Sequence, residues 1–204
     1  EAMLLLEEGA GILEIDSVMK QYGFPVGPFA LLDEVGIDVG AHVMTGDLAE
    51  MFKKRDGALM SKGLLLMNDA GYKGRKNKRG FLAYDSKGKK RRGKFNPAVG
   101  QFFGNPRPKK FNAVEVQLRL SLLLLNEAVL CLQEGIIESV EDGDLGAIFG
   151  IGFRPFTGGP FRYIDQVGAA NILKELDAHR NIFGERFRAC DMLIEYAKSN
   201  KSFY

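Results

Sequence analysis

Apolar residues recur at helical spacing along most of this chain. Leu118, Leu122, Leu125, Val129 and Leu132 fall three or four positions apart and predict one long helix. Asn112 can cap its start, with Glu115 completing a capping box, and Gly135 can supply the left-handed residue that ends it. The same periodicity predicts a helix near LEIDSVMKQYG ended by Gly23 and a short helix with Pro28 at its first position. A longer one is predicted over 38–55 behind Asp38 as its cap, and others over 58–71, 143–150, 160–168, 169–184 and 188–200. The acidic run VEDGD (140–144) reads as the cap of the helix that starts near Asp144. Strand signal is confined to GFLAYD (80–85), with room for a short hairpin. The predicted fold class is all-α.

Two passages occur twice. EAMLLLEEG (1–9) matches EAVLCLQEG (127–135) without a gap, and GFPVGPFALLDEVG (23–36) returns as GFRPFTGGPFRYIDQVG (152–168). Gly27, Pro28, Phe29, Asp33, Val35 and Gly36 thereby answer to Gly159, Pro160, Phe161, Asp165, Val167 and Gly168. The doubling predicts two similar helical lobes, roughly 1–72 and 112–204, related by a pseudo-twofold and joined by a basic, glycine-rich loop. Counted as repeats, the expected boundaries are 1–95, a linker over 96–111, and 112–204. By the repeat, Glu1 lies about four turns into its helix, so the start reads as a cut. The Gly-Pro-Phe corner has two readings. It is a structural turn, with glycine for the tight entry, proline for the helix angle and phenylalanine as core anchor. Alternatively it exposes a helix N-terminus to a ligand or a neighbouring domain.

Composition narrows the chemistry. A chain of 204 residues, 46% hydrophobic and 26% charged, is that of an ordinary globular protein of one large or two small domains. Cys131 and Cys190 sit in apolar helical patterns and read as small buried hydrophobes, in keeping with a reducing compartment. The apolar stretch 120–132 is interrupted by Asn126 and Glu127 and is too short to span a bilayer, and no signal or transit segment is read. His42 and His179 stand alone in helical patterns, without metal-ligand spacing. No GxGxxG follows a strand, and no serine has a GxSxG context. We therefore expect no catalytic residue, no cofactor site and no metal site within this chain. Charge is polarised: between Lys73 and Lys110 there are 14 Lys and Arg residues against Asp85 alone, while the remainder carries 14 basic against 25 acidic residues. Lys89, Lys90, Arg91 and Arg92 are expected to form a mobile cationic loop. It is either simply solvated or suited to anionic phospholipid, CoA phosphates or an acidic partner, and no motif accompanies it that would read nucleic acid.

The order EEG, a short helix with ID, GFPVGPFALLDEVGIDVGAHV and then GYKGRKNKRGFLAYD strongly resembles the C-terminal domain of 3-hydroxyacyl-CoA dehydrogenases. The second copy is similar to the second such domain of multifunctional fatty-acid oxidation enzymes, and the ending SNKSFY to that of their mitochondrial members. The resemblance implies lobes like the C-terminal region of 6-phosphogluconate dehydrogenase. It also implies NAD-dependent oxidation of a 3-hydroxyacyl-CoA to the 3-ketoacyl-CoA in fatty-acid beta-oxidation, with a hydratase domain upstream in some members. In such enzymes a histidine base held by a glutamate lies in a preceding Rossmann domain, which also binds NAD, so this stretch by itself is expected to be inactive. A family asparagine falls upstream of Glu1, and its place in the second copy is near Leu118 and Arg119, which offer no substitute. Implied substrate contacts are Phe149, against the acyl chain or as plain core, and Phe24, Pro25 and Pro28 as wall residues facing the dinucleotide domain. Implied partners are the 3-hydroxyacyl-CoA, the chain's own Rossmann domain, a thiolase-type beta subunit and an anionic membrane surface, with a mitochondrial location. The competing class is a non-catalytic helical interaction module that binds an anionic membrane or partner subunit through the basic loop.

Overall fold

The computed structural model describes residues 1–55 and 57–204. The chain divides into two compact units, one formed by Glu1–Gln21 with Val26–Val116 and the other by Tyr22–Pro25 with Gln117–Tyr204. Both are helical, as the apolar periodicity requires.

The first unit holds α1 (Ala2–Glu7), most of α2 (Ile12–Tyr22), α3 (Pro28–Val35), α4 (Ile37–Val43), α5 (Asp47–Lys53) and α6 (Gly63–Asp69). They enclose a core that includes Leu5, Ile15, Phe29, Ile37, Leu64, Met67 and Phe81. An antiparallel hairpin of β1 (Leu82–Tyr84) and β2 (Lys90–Phe95) follows. Pro28 occupies the first position of α3, as its fixed backbone angle favours. The single helix expected over 38–55 is instead two, because the backbone is interrupted at Met44–Gly46. Thr45 turns its hydroxyl back to the Ala41 carbonyl (3.0 Å), and extended Gly46 caps α5. Asp38 is not the cap of α4. Gly36 is, at φ +116°, and Asp38 sits in the first turn, paired with Lys76 at 2.8 Å.

Two expectations about the basic region are corrected. Residues 96–111 do not form a linker: a 3-10 turn over Pro97–Phe103, capped by Asn96 (Ala98 N–H to Oδ1, 3.1 Å), buries Val99 and Phe103, and Phe111 is buried too. The Phe103 ring lies 6.0 Å from that of Phe81 and fills the space a side chain at Gly63 would need. Lys89 to Arg92 do not form a loose loop either. Lys90, Arg91 and Arg92 lie on β2, and the Lys90 ammonium meets Glu34 at 2.8 Å. Hydrogen bonding between the strands offsets the like-charge repulsion that makes such a run read as a mobile loop.

The second unit takes most of α7 (Ala113–Gln133), then α8 (Val140–Ile151), α9 (Pro160–Val167), α10 (Ala169–Phe183) and α11 (Asp191–Ser199). Leu122, Leu125, Val129, Phe153, Phe161, Ile164, Leu176 and Leu193 form its core. Asn112 caps α7 through the Val114 N–H (2.9 Å), Gly135 follows the helix at φ +70°, and Pro160 opens α9. Helix α8 starts at Val140, earlier than expected, because Ser139 takes the cap by accepting the Asp142 N–H at 3.1 Å. Asp144 therefore lies inside the helix, buried, and is free for another task.

Candidate functional site

In each unit the Gly-Pro-Phe corner rests on a buried aspartate of the preceding helix. Asp16 on α2 accepts the N–H groups of Phe29 (2.9 Å) and Ala30 (3.0 Å). Asp144 on α8 accepts those of Phe161 (2.7 Å) and Arg162 (3.3 Å). Proline at the first helical position has no N–H, so these two donors are the ones a carboxylate can satisfy there, and its charge complements the helix dipole. Glycine is required at positions 27 and 159 because a Cβ on either would run into the aspartate. The reading of the corner as an exposed helix N-terminus is thereby corrected: its donors are taken, and the group that takes them is an acid.

A second aspartate on each short helix closes the motif. Asp33, fully buried, accepts the N–H groups of Phe81 (2.8 Å) and Leu82 (2.9 Å) and the Tyr84 hydroxyl (2.9 Å). Asp165 accepts the N–H groups of Phe203 (2.9 Å) and Tyr204 (3.0 Å), and the Tyr204 hydroxyl donates to Asp144 at 2.9 Å. Phe81 packs on Phe29 with ring centroids 4.9 Å apart, and Phe203 packs on Phe161 at 5.1 Å. The ending SFY thus does in the second unit what GFLAY does in the first. This equivalence escaped the sequence reading, although a Phe and a Tyr following the repeated Asp in both copies carried its signal. Burial raises the carboxyls of Asp16, Asp33 and Asp144 above the usual range despite their hydrogen bonds, and burial with the nearby Asp144 pushes the Tyr204 hydroxyl up to about 12. Because these carboxylate oxygens are spent on backbone and tyrosine donors, the acids act as structural clasps rather than as bases open to a substrate.

The four implied substrate-contact residues are divided between the units. Pro28 belongs to the first, half-buried at the start of α3. Phe24 and Pro25 belong to the second. There the Phe24 ring meets Phe153 edge-on at 5.7 Å, and exposed Pro25 sits where a Cβ on Gly152 would come within 3.0 Å of it. Phe149, on α8, is 83% exposed, which removes its reading as core and leaves it an apolar side chain open to solvent. Near the position where the family asparagine would align, Leu118 packs against the core and Arg119 is fully buried with its guanidinium 4.1 Å from the Phe183 ring centroid.

Sequence reasoning also missed Arg154, which is only 5% exposed. Its guanidinium lies 3.8 Å from the Tyr22 ring centroid and 4.3 Å from that of Tyr163, and Nη1 donates to the Tyr22 carbonyl at 3.4 Å. Nε and Nη2 have no hydrogen-bond partner among the described residues. Burial raises the Tyr22 hydroxyl, which faces that of Tyr163 at 3.3 Å, to about 12.

The double clasp of the first unit, from Asp16 through Tyr84, falls within a stretch with known relatives. Residues 1–84 match the family model of the 3-hydroxyacyl-CoA dehydrogenase C-terminal domain. The match ends at Tyr84, the residue whose hydroxyl closes the Asp33 clasp. In fold, the chain is similar to the dehydrogenase part of multifunctional enzyme 1 from C. elegans, at 23% identity and a TM-score of 0.65 over 91% of this chain and 42% of that one. It is also similar to 3-hydroxybutyryl-CoA dehydrogenase from Escherichia coli K12, at 21% identity and a TM-score of 0.70 over 97% of this chain and 57% of that one. The chain thus spans 42% and 57% of the length of these two solved relatives.

Proposed function

We propose that this chain is the C-terminal, substrate-binding and domain-pairing region of an NAD-dependent 3-hydroxyacyl-CoA dehydrogenase of fatty-acid beta-oxidation, of the type of the alpha subunit of the mitochondrial trifunctional enzyme. The observation that carries it is the family-model match over residues 1–84, supported by the recurrence of the same aspartate clasp in the second unit. On this reading NAD is not held at the Gly-Pro-Phe corners. The helix starts at both Gly-Pro-Phe corners, the places where a phosphate would find free N–H groups, are filled by Asp16 and Asp144. The reading assigns the cofactor and the proton-transfer pair to a dinucleotide-binding domain outside this stretch, and no step of the oxidation to groups here. What this chain contributes is apolar surface for the acyl-CoA, with exposed Phe149 and Pro25 as the wall residues of the second unit. The same reading brings a thiolase-type beta subunit as partner and a mitochondrial location.

The test is enzymatic. The purified chain mixed with 3-hydroxyacyl-CoA and NAD should form no NADH, and joining it behind the dinucleotide-binding domain of a 3-hydroxyacyl-CoA dehydrogenase should restore turnover. Turnover by the chain alone would refute the placement of NAD, and a folded but inactive fusion would refute the dehydrogenase reading. A second reading, a non-catalytic module that docks on an anionic membrane or partner subunit, draws on the exposed Arg91 and Arg92 of the hairpin.

A further inference from the structure

We propose that the hairpin turn of the first unit forms a binding pocket for a phosphate or diphosphate group. An open surface cleft of about 360 Å³ lies there, lined by Glu34, Arg75, Lys87, Gly88, Lys89 and Lys90. Its wall therefore carries four cations and one carboxylate. Glu34 accepts from Arg75 at 2.9 Å and from Lys90 at 2.8 Å, and those two cations hold its carboxyl below the usual range. The carboxylate thus pins two of the four cations in place, and its own charge is neutralised in doing so. Lys87 and Lys89 have no acidic partner for their ammonium groups among the described residues.

The backbone that carries these two lysines is fixed. Asp85 accepts the N–H groups of Lys87 and Lys89, each at 2.9 Å, its carbonyl accepts the Gly88 N–H at 3.0 Å, and the Lys78 ammonium donates to the Ser86 carbonyl. Gly88 turns at φ +79°, where a side chain would be strained. The turn thereby sets two lysines, without an acidic partner among the described residues, in the wall of the cavity beside Arg75. That arrangement suits a ligand with several anionic oxygens on one centre, which can accept from Arg75 and both lysines together. A phosphate carries those oxygens, and a lone carboxylate has too few. The phosphate can come from a soluble phosphorylated compound or from a lipid headgroup, and the experiment separates the two. The inference stands apart from the dehydrogenase reading, and neither depends on the other.

Inorganic pyrophosphate is titrated into the full 204-residue chain and followed by calorimetry and by the amide shifts of residues 87–90. Saturable binding that moves those amides is expected, roughly tenfold weaker in Lys87→Gln with Lys89→Gln, since each ammonium supplies a charge-assisted hydrogen bond. The control is Arg91→Gln with Arg92→Gln, which removes the same charge from the same hairpin outside the cavity. It should weaken binding less than the Lys87 and Lys89 pair does, because neither arginine lines the cavity. All four positions are exposed, and equal thermal unfolding of both variants confirms that they fold. Equal weakening by the two pairs, or the absence of saturable binding, overturns the pocket. Phosphatidylglycerol vesicles identify the source: flotation that pyrophosphate competes away assigns a lipid headgroup, and pyrophosphate binding without flotation assigns a soluble phosphate.

Discussion

Arg154 brings two opposing electrostatic effects into one buried side chain. Its planar cation rests between the Tyr22 and Tyr163 rings, an attraction worth up to about 2 kcal/mol per desolvated ring. Against this stands the loss of water around a charge whose Nε and Nη2 meet no acceptor among the described residues, a penalty of several kcal/mol. The penalty should win, so Arg154→Met is expected to raise the free energy of unfolding by about 1 kcal/mol in urea titrations. A comparable loss would show that the rings outweigh the desolvation. Asp33 is the opposite case, since each donor it faces would be orphaned without it. Asp33→Ala should cost about 3 kcal/mol, because two backbone N–H groups and a tyrosine hydroxyl lose their acceptor. Burial raises the Asp33 carboxyl, so its protonation favours the folded state. That contribution is fully present below the ordinary carboxyl pKa of about 3.9 and is lost as pH rises through the raised value. The deficit of Asp33→Ala should accordingly be widest in acid and narrow toward neutral pH, and a deficit that grows with pH would contradict the direction assigned to Asp33.

Helix α8 shows how far the consequence of one residue type depends on the face it occupies. Gly143 faces the core, where a Cβ would come within 2.5 Å of the Phe161 ring and 2.7 Å of Ile137. A Cβ on Gly146, one turn on, would meet no neighbouring group of the described residues within 4 Å. Helix propensity favours alanine at both, by about 1 kcal/mol. Only at Gly146 is that gain realised, so Gly146→Ala should stabilise the protein by about 0.5–1 kcal/mol. Gly143→Ala should destabilise it by about 2 kcal/mol, since a ring that anchors the Gly-Pro-Phe corner must move. Thermal unfolding of the two single variants decides the matter. The same sign for both would show that the face of α8 is misassigned.

Across the whole molecule, a formal net charge of +2 conceals a strong asymmetry, with 14 basic residues and one acidic residue between Lys73 and Lys110. The hairpin orders part of this charge: Lys90 is committed to Glu34, while Lys89, Arg91 and Arg92 are exposed. Under the membrane-docking reading each charge near an anionic surface contributes about 1 kcal/mol before screening. The chain should then float with anionic vesicles, and glutamine at 89, 90, 91 and 92 should release it, as should 1 M salt, where the Debye length falls to about 3 Å. Flotation indifferent to both changes would leave the exposed charge as a solvated face.

The sequence by itself determined most of the helices, part of their punctuation and the internal repeat. Pro28 and Pro160 open helices, Asn112 caps one, and Gly135 follows one in the left-handed conformation, because each effect is set by a residue's own backbone preference and its neighbours within a turn. It also placed Asp33 opposite Asp165 without disclosing what either holds. Tertiary structure decided the clasps, the burial of Arg154 and the folding of residues 96–111 into the first unit. It also decided that Lys90 is a paired strand residue rather than part of a loose loop. The partners in these contacts lie far apart in sequence: Asp33 and Phe81 are separated by 48 positions, Arg154 and Tyr22 by 132. Local periodicity carries no trace of such a pairing. A buried polar group finds its partner only when packing removes water and leaves one donor or acceptor within reach.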